Sequence, residues 1–95
     1  MTVKNVHVAY KSGCEVFSEP HMELMIAIGT HETVYKTPPE LHELAKFLVV
    51  PPKKIQARLS FLNGRNHVRV RVSRTVIFSY LTDSGRKAIE NAYQL

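Results

Sequence analysis

Two helical patterns in this 95-residue chain are separated by little more than a pair of prolines. Leu41, Leu44, Ala45 and Leu48 recur at i, i+3, i+4 and i+7, which is the spacing of an amphipathic helix. Pro51 ends that helix, because a proline disfavours helical geometry at the residue before it, here Val50. A second helix starts near Pro52, a residue suited to the first helical position, with Ile55, Leu59 and Leu62 as its apolar stripe. Helices joined this tightly cannot lie side by side as a long bundle. They cross steeply and leave the second one exposed.

The rest of the chain divides around that pair. Pro20 opens an earlier helix over His21–Ile28, apolar nearly all round and so buried on several sides, with Gly29 as its expected stop. Thr33-Val34-Tyr35 reads as a very short strand. Thr37 is the expected cap of the next helix, with Pro38 at its first position and Glu40 completing a capping box. Asn63-Gly64 closes the helix that began near Pro52. His67–Val72 then alternates strictly, with Val68, Val70 and Val72 on one face and His67, Arg69 and Arg71 on the other. Ser73-Arg74 is the expected turn and Thr75–Leu81 the returning strand. Thr82 caps a last helix whose first turn holds Asp83 and whose apolar side is Ala88, Ile89 and Ala92. The expected helices are therefore 20–29, 38–48, 52–63 and 82–93, with a hairpin between the last two. Residues 1–19 form an N-terminal extension, read as a hairpin of Thr2–Tyr10 with Cys14–Phe17.

Charge follows this division. Residues 1–50 hold four Lys/Arg and six Asp/Glu, whereas residues 51–95 hold nine and two. From Lys53 to Arg74 there are seven cations (Lys53, Lys54, Arg58, Arg65, Arg69, Arg71 and Arg74) and no carboxylate. A helix and a hairpin that are both basic and free of acids suit a polyanion, and a phosphodiester backbone above all.

Other classes find less in the sequence. One cysteine, Cys14, allows no intrachain disulfide, which fits a reducing compartment and an expected cytoplasmic location. No apolar run approaches the ~18 residues that span a bilayer, and the first residues lack the pattern of a secretory signal. His7, His21, His31, His42 and His67 lack metal-ligand spacing, so no metal or other cofactor is expected. No nucleophile motif, Walker loop or dinucleotide fingerprint occurs, and no enzymatic activity is expected. Met22 and Met25 read as core or as a dimer interface, and Tyr93-Gln94-Leu95 mildly favours a contact at the C-terminal end.

The run from Thr37 to Ala92, about three-fifths of the chain, resembles the winged helix-turn-helix family of DNA-binding domains, especially small prokaryotic and phage regulators. Thr37-Pro38-Pro39-Glu40-Leu41 with Leu44-Ala45 looks like the opening of that family's first helix-turn-helix helix. Pro52-Lys53-Lys54-Ile55 with Leu59 and Leu62 is similar to its recognition helix. Tyr80-Leu81-Thr82-Asp83-Ser84-Gly85-Arg86 looks like its junction between wing and final helix, the most specific of the three. The resemblance implies a single α+β winged-helix domain over 20–95, with three or four core helices and a hairpin wing. It implies a regulator that occupies double-stranded DNA, as a monomer or as a homodimer on a two-fold site.

Helical geometry then sorts the side chains. At 100° per residue, Ile55, Leu59 and Leu62 fall within about 60° of one another and face the core. Lys53, Ala57 and Ser60 lie opposite, with Gln56 and Lys54 on the flanks. Gln56 can pair with adenine, Lys53 can reach guanine and Ala57 can touch a thymine methyl. Arg58 lies nearer the core and suits a phosphate or a carboxylate. Arg65, Arg69, Arg71 and Arg74 complete the expected DNA-binding set as backbone or minor-groove contacts. The competing reading is a winged helix used as a protein-interaction module, its basic face meeting an acidic partner. RNA binding ranks third, since no aromatic stacking platform is evident.

Overall fold

A computed structural model of the chain describes residues 19–93. In order, these form α1 (Glu19–Tyr35), α2 (Leu41–Leu48), α3 (Pro52–Gly64), the antiparallel strands β1 (Val68–Ser73) and β2 (Val76–Leu81), and α4 (Asp83–Tyr93). The expected N-terminal hairpin lies outside the described residues. The core is built from Leu24, Met25 and Ile28 of α1, Leu41 and Leu44 of α2, Ile55, Leu59 and Leu62 of α3, Val68 of β1 and Leu81 of β2.

α1 does not stop at Gly29. It continues to Tyr35, so Thr33-Val34-Tyr35 is helical and the short strand expected there is absent. Gly29 serves packing instead of termination. A Cβ at that position would stand 2.9 Å from Leu81 Cδ1, so the missing side chain lets β2 approach the helix. The left-handed residue that follows the helix is Lys36, with φ 60°.

α2 begins at Leu41, later than the Thr37 cap implied. The cap is Glu40: its backbone N–H donates to Glu43 Oε1 at 2.9 Å, and its own carboxylate accepts from the Glu43 backbone. The reason lies in the two prolines. Thr37 and Pro38 each precede a proline and are driven out of helical geometry. The extended segment they form is used by the sheet edge. Ser79 N–H donates to the Pro39 carbonyl at 3.1 Å, and Glu40 bridges Phe78. α2 ends with Val49 in the left-handed region (φ 55°, ψ 50°) and with Val50 N–H on the Ala45 carbonyl at 3.0 Å.

α3 runs one residue past expectation, through Gly64, and the left-handed exit falls to Asn66 with φ 65°. The hairpin register pairs Val68 with Leu81 and Ser73 with Val76. The two-residue turn is therefore Arg74-Thr75, one position later than expected, with Arg74 at φ 57°. The junction into α4 matches the expected cap. Thr82 Oγ1 accepts from Gly85 N–H at 3.0 Å and donates to the Asn66 carbonyl at 2.7 Å, while Thr82 N–H reaches the His67 carbonyl at 3.2 Å.

The N-terminal end of α1 packs on α3 through an aromatic contact. The His21 ring lies 4.5 Å from the Phe61 ring, centroid to centroid. Burial holds the His21 pKa below its ordinary value, and the nearby Arg58 charge lowers it further.

Two predictions follow from this packing. The first concerns glycine. A Cβ at Gly85 would overlap the His67 carbonyl oxygen, whereas one at Gly64 would meet nothing. Gly64→Ala should raise stability by roughly 0.5–1 kcal/mol, through helix propensity and a less flexible unfolded chain. Gly85→Ala should instead lower the melting temperature sharply, because the obstacle is backbone. Thermal melts of the two variants check this, and equal melting temperatures would contradict it. The second concerns pH. With a lowered folded-state pKa, His21 is neutral in the fold at pH values where the unfolded chain is already protonated. The unfolded state then binds more protons, so this contribution is fully present above pH 6.5 and is lost as pH falls through the lowered folded-state value. His21→Phe should flatten the acid side of the stability profile in denaturant titrations. An unaltered profile would show that His21 is not its source.

Candidate nucleic-acid interface

α3 has one buried face, Ile55, Leu59 and Leu62, and an exposed side carrying Lys53, Lys54, Gln56, Ala57 and Ser60. The chain reaches α3 through the short turn at Val49–Pro51, so the helix starts at the edge of the core and its outward side stays uncovered. Lys54 and Ile55 donate their backbone N–H groups to the Pro51 carbonyl at 3.0 and 3.2 Å, which closes the first turn without a side-chain cap. No acidic residue occupies that turn, and two lysines do. A helix N-terminus carries about half a positive charge, so this placement opposes the helix dipole. Packing gives no reason for it, since both lysines are exposed.

On the wing, Arg69 stands opposite Tyr80 and Arg71 opposite Phe78. Directly paired residues share a face, so these four lie together, away from the face of Val68 and Val70. Arg69, Arg71 and Arg74 are all exposed. Val68 and Leu81 hold the base of the hairpin in the core, while Arg74 is at the tip, roughly 20 Å away at a strand's rise per residue. Arg65 sits elsewhere. It leaves the C-terminal end of α3 at the base of the wing, with its guanidinium 5.3 Å from the centre of the Phe61 ring. The nine expected contacts thus form two groups, the outward side of α3 and the wing, with Arg65 on the flank of α3.

Among the described residues the ion pairs are His31–Glu43, His42–Glu40 and Arg86–Glu32. Lys53, Lys54, Arg58, Arg69, Arg71 and Arg74 join none of them, so their charge is available to an external anion. The same pairs account for two of the histidines. Among the described residues no group of three His, Cys, Asp or Glu side chains could hold a metal ion. No helix among them is long and apolar enough to cross a membrane.

The sequence reading missed two features. One is a groove of about 880 Å³ between α1, α2 and the wing, lined by Val34, Tyr35, Phe47, Arg71, Phe78 and Tyr80 among others. Arg71 is therefore also part of a groove wall. The other is the contact of His21 with Phe61. Both join residues distant in sequence, and neither leaves a local pattern.

No family model matches the sequence, and no curated protein matches it. Solved structures do match. RV1404 from Mycobacterium tuberculosis superposes with a TM-score of 0.76 at 20% identity, covering 95% of this chain and 60% of that one. YusO from Bacillus subtilis gives 0.75 at 19% identity, covering 93% and 59%. A MarR mutant from E. coli, complexed with operator DNA, gives 0.71 at 18% identity, covering 83% and 55%. The chain thus spans a little over half the length of the structures it resembles. Four helices in this order, the short connection between α2 and α3, and a two-stranded hairpin packed against them, together with these superpositions, give the described chain a winged helix-turn-helix fold.

Proposed function

We propose that this chain binds double-stranded DNA and acts as a transcription regulator by occupying a specific site. α3 enters the major groove, the wing arginines take the flanking backbone, and no chemical step is involved. The observation that carries this reading is the first turn of α3. Its lysines are exposed, unpaired by any described carboxylate and opposed to the helix dipole. The structural likeness supports it by analogy, since some of the superposed proteins were crystallised with DNA. Lys53, Gln56, Ala57 and Ser60 read base edges. Lys54, Arg65, Arg69, Arg71 and Arg74 contact phosphate or the minor groove. A homodimer would read a two-fold site, and the protein would work in the cytoplasm.

A second reading has one observation in its favour. Val34, Tyr35 and Phe47 are exposed and line the same groove, as a protein-docking surface would require. Selection of bound sequences from random duplex DNA separates the two. A consensus supports the regulator, and its symmetry reports the oligomeric state. Failure to bind any duplex at low salt would leave the interaction module as the better account.

Two substitutions sharpen the test. Gln56→Ala should cost ~1–3 kcal/mol on the selected site and far less on random DNA. Equal losses on both would show that Gln56 reads no base. Changing Lys53 and Lys54 together to Glu should stabilise the fold by roughly 0.3–1 kcal/mol per residue, because the new charges complement the helix dipole. The same change should abolish DNA binding. A double variant that melts higher yet binds as before would remove the first turn of α3 from the interface.

A further inference from the structure

The groove between α1, α2 and the wing holds opposite charges that do not meet. Arg71 stands on the strand wall, across the sheet from Phe78, and Glu43 stands on α2. Both line the cavity of about 880 Å³, yet they form no ion pair with each other, and Arg71 forms none with any described residue. The remaining wall is largely aromatic, with Tyr35 from α1, Phe47 from α2, and Phe78 and Tyr80 from β2. A concave site of this size with aromatic walls and a few polar groups suits a small organic ligand.

The corner at Glu43 has a defined polarity. His31 Nδ1 lies 3.0 Å from the Thr37 carbonyl, and a carbonyl only accepts, so Nδ1 carries a proton. In the neutral ring Nε2 is then an acceptor. It lies 3.8 Å from Glu43 Oε2, too far for a hydrogen bond, while Glu43 Oε1 is occupied by the Glu40 N–H. The Tyr35 ring, 4.7 Å from the His31 ring between centroids, helps to hold the imidazole in place. Two acceptors at that separation, with no donor between them among the described residues, fit a group that donates to both. An ammonium does so and brings the charge that complements Glu43. On the strand wall the Arg71 guanidinium fits a carboxylate, which it holds by two parallel hydrogen bonds.

We propose that this groove binds a short aromatic peptide with free ends, its ammonium between His31 Nε2 and Glu43, its carboxylate on Arg71 and its rings against the aromatic walls. Separated, unpaired opposite charges select a zwitterion over a simple acid or a simple amine. Each single-charge ligand would satisfy one wall and leave the other charge without a partner. The site makes no use of α3, and it stands independently of the DNA-binding reading.

The experiment titrates the protein, without DNA, with the dipeptide phenylalanyl-phenylalanine and follows backbone amide shifts by nuclear magnetic resonance. Three relatives of the probe serve as controls: acetylated at the amine, amidated at the acid, and blocked at both ends. The free dipeptide should move the amides of His31, Tyr35, Phe47 and Arg71 saturably. Blocking either end should weaken binding about tenfold or more, the usual worth of a hydrogen bond to a charged group. Arg71→Gln should weaken the free dipeptide by a similar factor and leave the amidated probe unchanged. Glu43→Gln, which keeps an oxygen for the Glu40 N–H, should weaken the free dipeptide and leave the acetylated probe unchanged. The proposal is overturned if no groove amide shifts saturably, or if both variants bind all four probes as wild type does. It is also overturned if the doubly blocked probe binds as tightly as the free one, since the groove would then take an internal stretch of a protein. Because no DNA is present, these results are separate from any failure of the regulator reading.

Discussion

Leu81 is the point on which the described fold depends. It ends β2, faces the core across from Val68, and lies against two glycines from two helices. A Cβ on Gly29 would be 2.9 Å from one Leu81 methyl, and a Cβ on Gly85 would be 3.1 Å from the other. The strand end is therefore held between the middle of α1 and the first turn of α4 with no room for a side chain on either helix. The Glu32 carboxylate reinforces the same place. It accepts from Leu81 N–H at 3.2 Å and from Arg86 Nη2 at 3.0 Å, which ties α1, β2 and α4 together. With the base of the wing fixed there, the hairpin projects from the core in one direction, and its arginines are carried to a defined place relative to α3.

This constraint explains which parts of the fold were legible in the sequence. The strand alternation, the Thr82 cap and the apolar stripe of α3 are local rules, and each appears where those rules put it. Gly29 was misread because glycine has two uses that look alike in sequence. As a helix stop it supplies a left-handed backbone, and as a packing residue it supplies an absent side chain. Only Leu81, 52 positions away, distinguishes them. The start of α2 was a different kind of error. Pro38-Pro39 contains its own signal, since a residue before proline resists helical geometry, and that signal outweighs the preference of Pro38 for a first helical position. The segment then pairs with β2, a sheet contact that no pattern in Thr37–Glu40 announces.

The candidate interface was legible to a similar degree and for the same reason. Side chains opposite an apolar stripe are exposed in any helix that packs on one face, so Lys53, Gln56, Ala57 and Ser60 could be placed from spacing alone. The flank was not accessible that way. His21 and Phe61 are 40 positions apart and meet only because α1 packs against α3. Arg65, read as one of a basic set, turns out to be oriented by Phe61 on its own helix. The groove beside Arg71 likewise required the continuation of α1 past Gly29, because Val34 and Tyr35 line it from the added turns.

Several departures from local rules stand close together around the start of α3. Val49, a β-branched residue that is 88% exposed, holds a left-handed backbone in the turn before α3, a conformation in which glycine would cost less. Lys53 and Lys54 oppose the dipole one turn later. Arg58 is half-buried with no acidic partner among the described residues. All three departures fall within ten residues, between Val49 and Arg58, while the core beneath them, Ile55, Leu59 and Leu62, follows every rule of helix packing. A chain whose only requirement was stability would have removed each of them at no cost to that core. Left-handed backbone also occurs at Lys36, Asn66 and Arg74, so the turn before α3 is not singular in that respect; the unpaired cations of α3 continue onto the wing at Arg69, Arg71 and Arg74, as a surface shaped for an external polyanion requires. The half-buried Arg58 supports the regulator reading over a merely solvated basic surface, because solvation accounts for the exposed lysines but not for a guanidinium drawn partly out of water with no carboxylate among the described residues beside it.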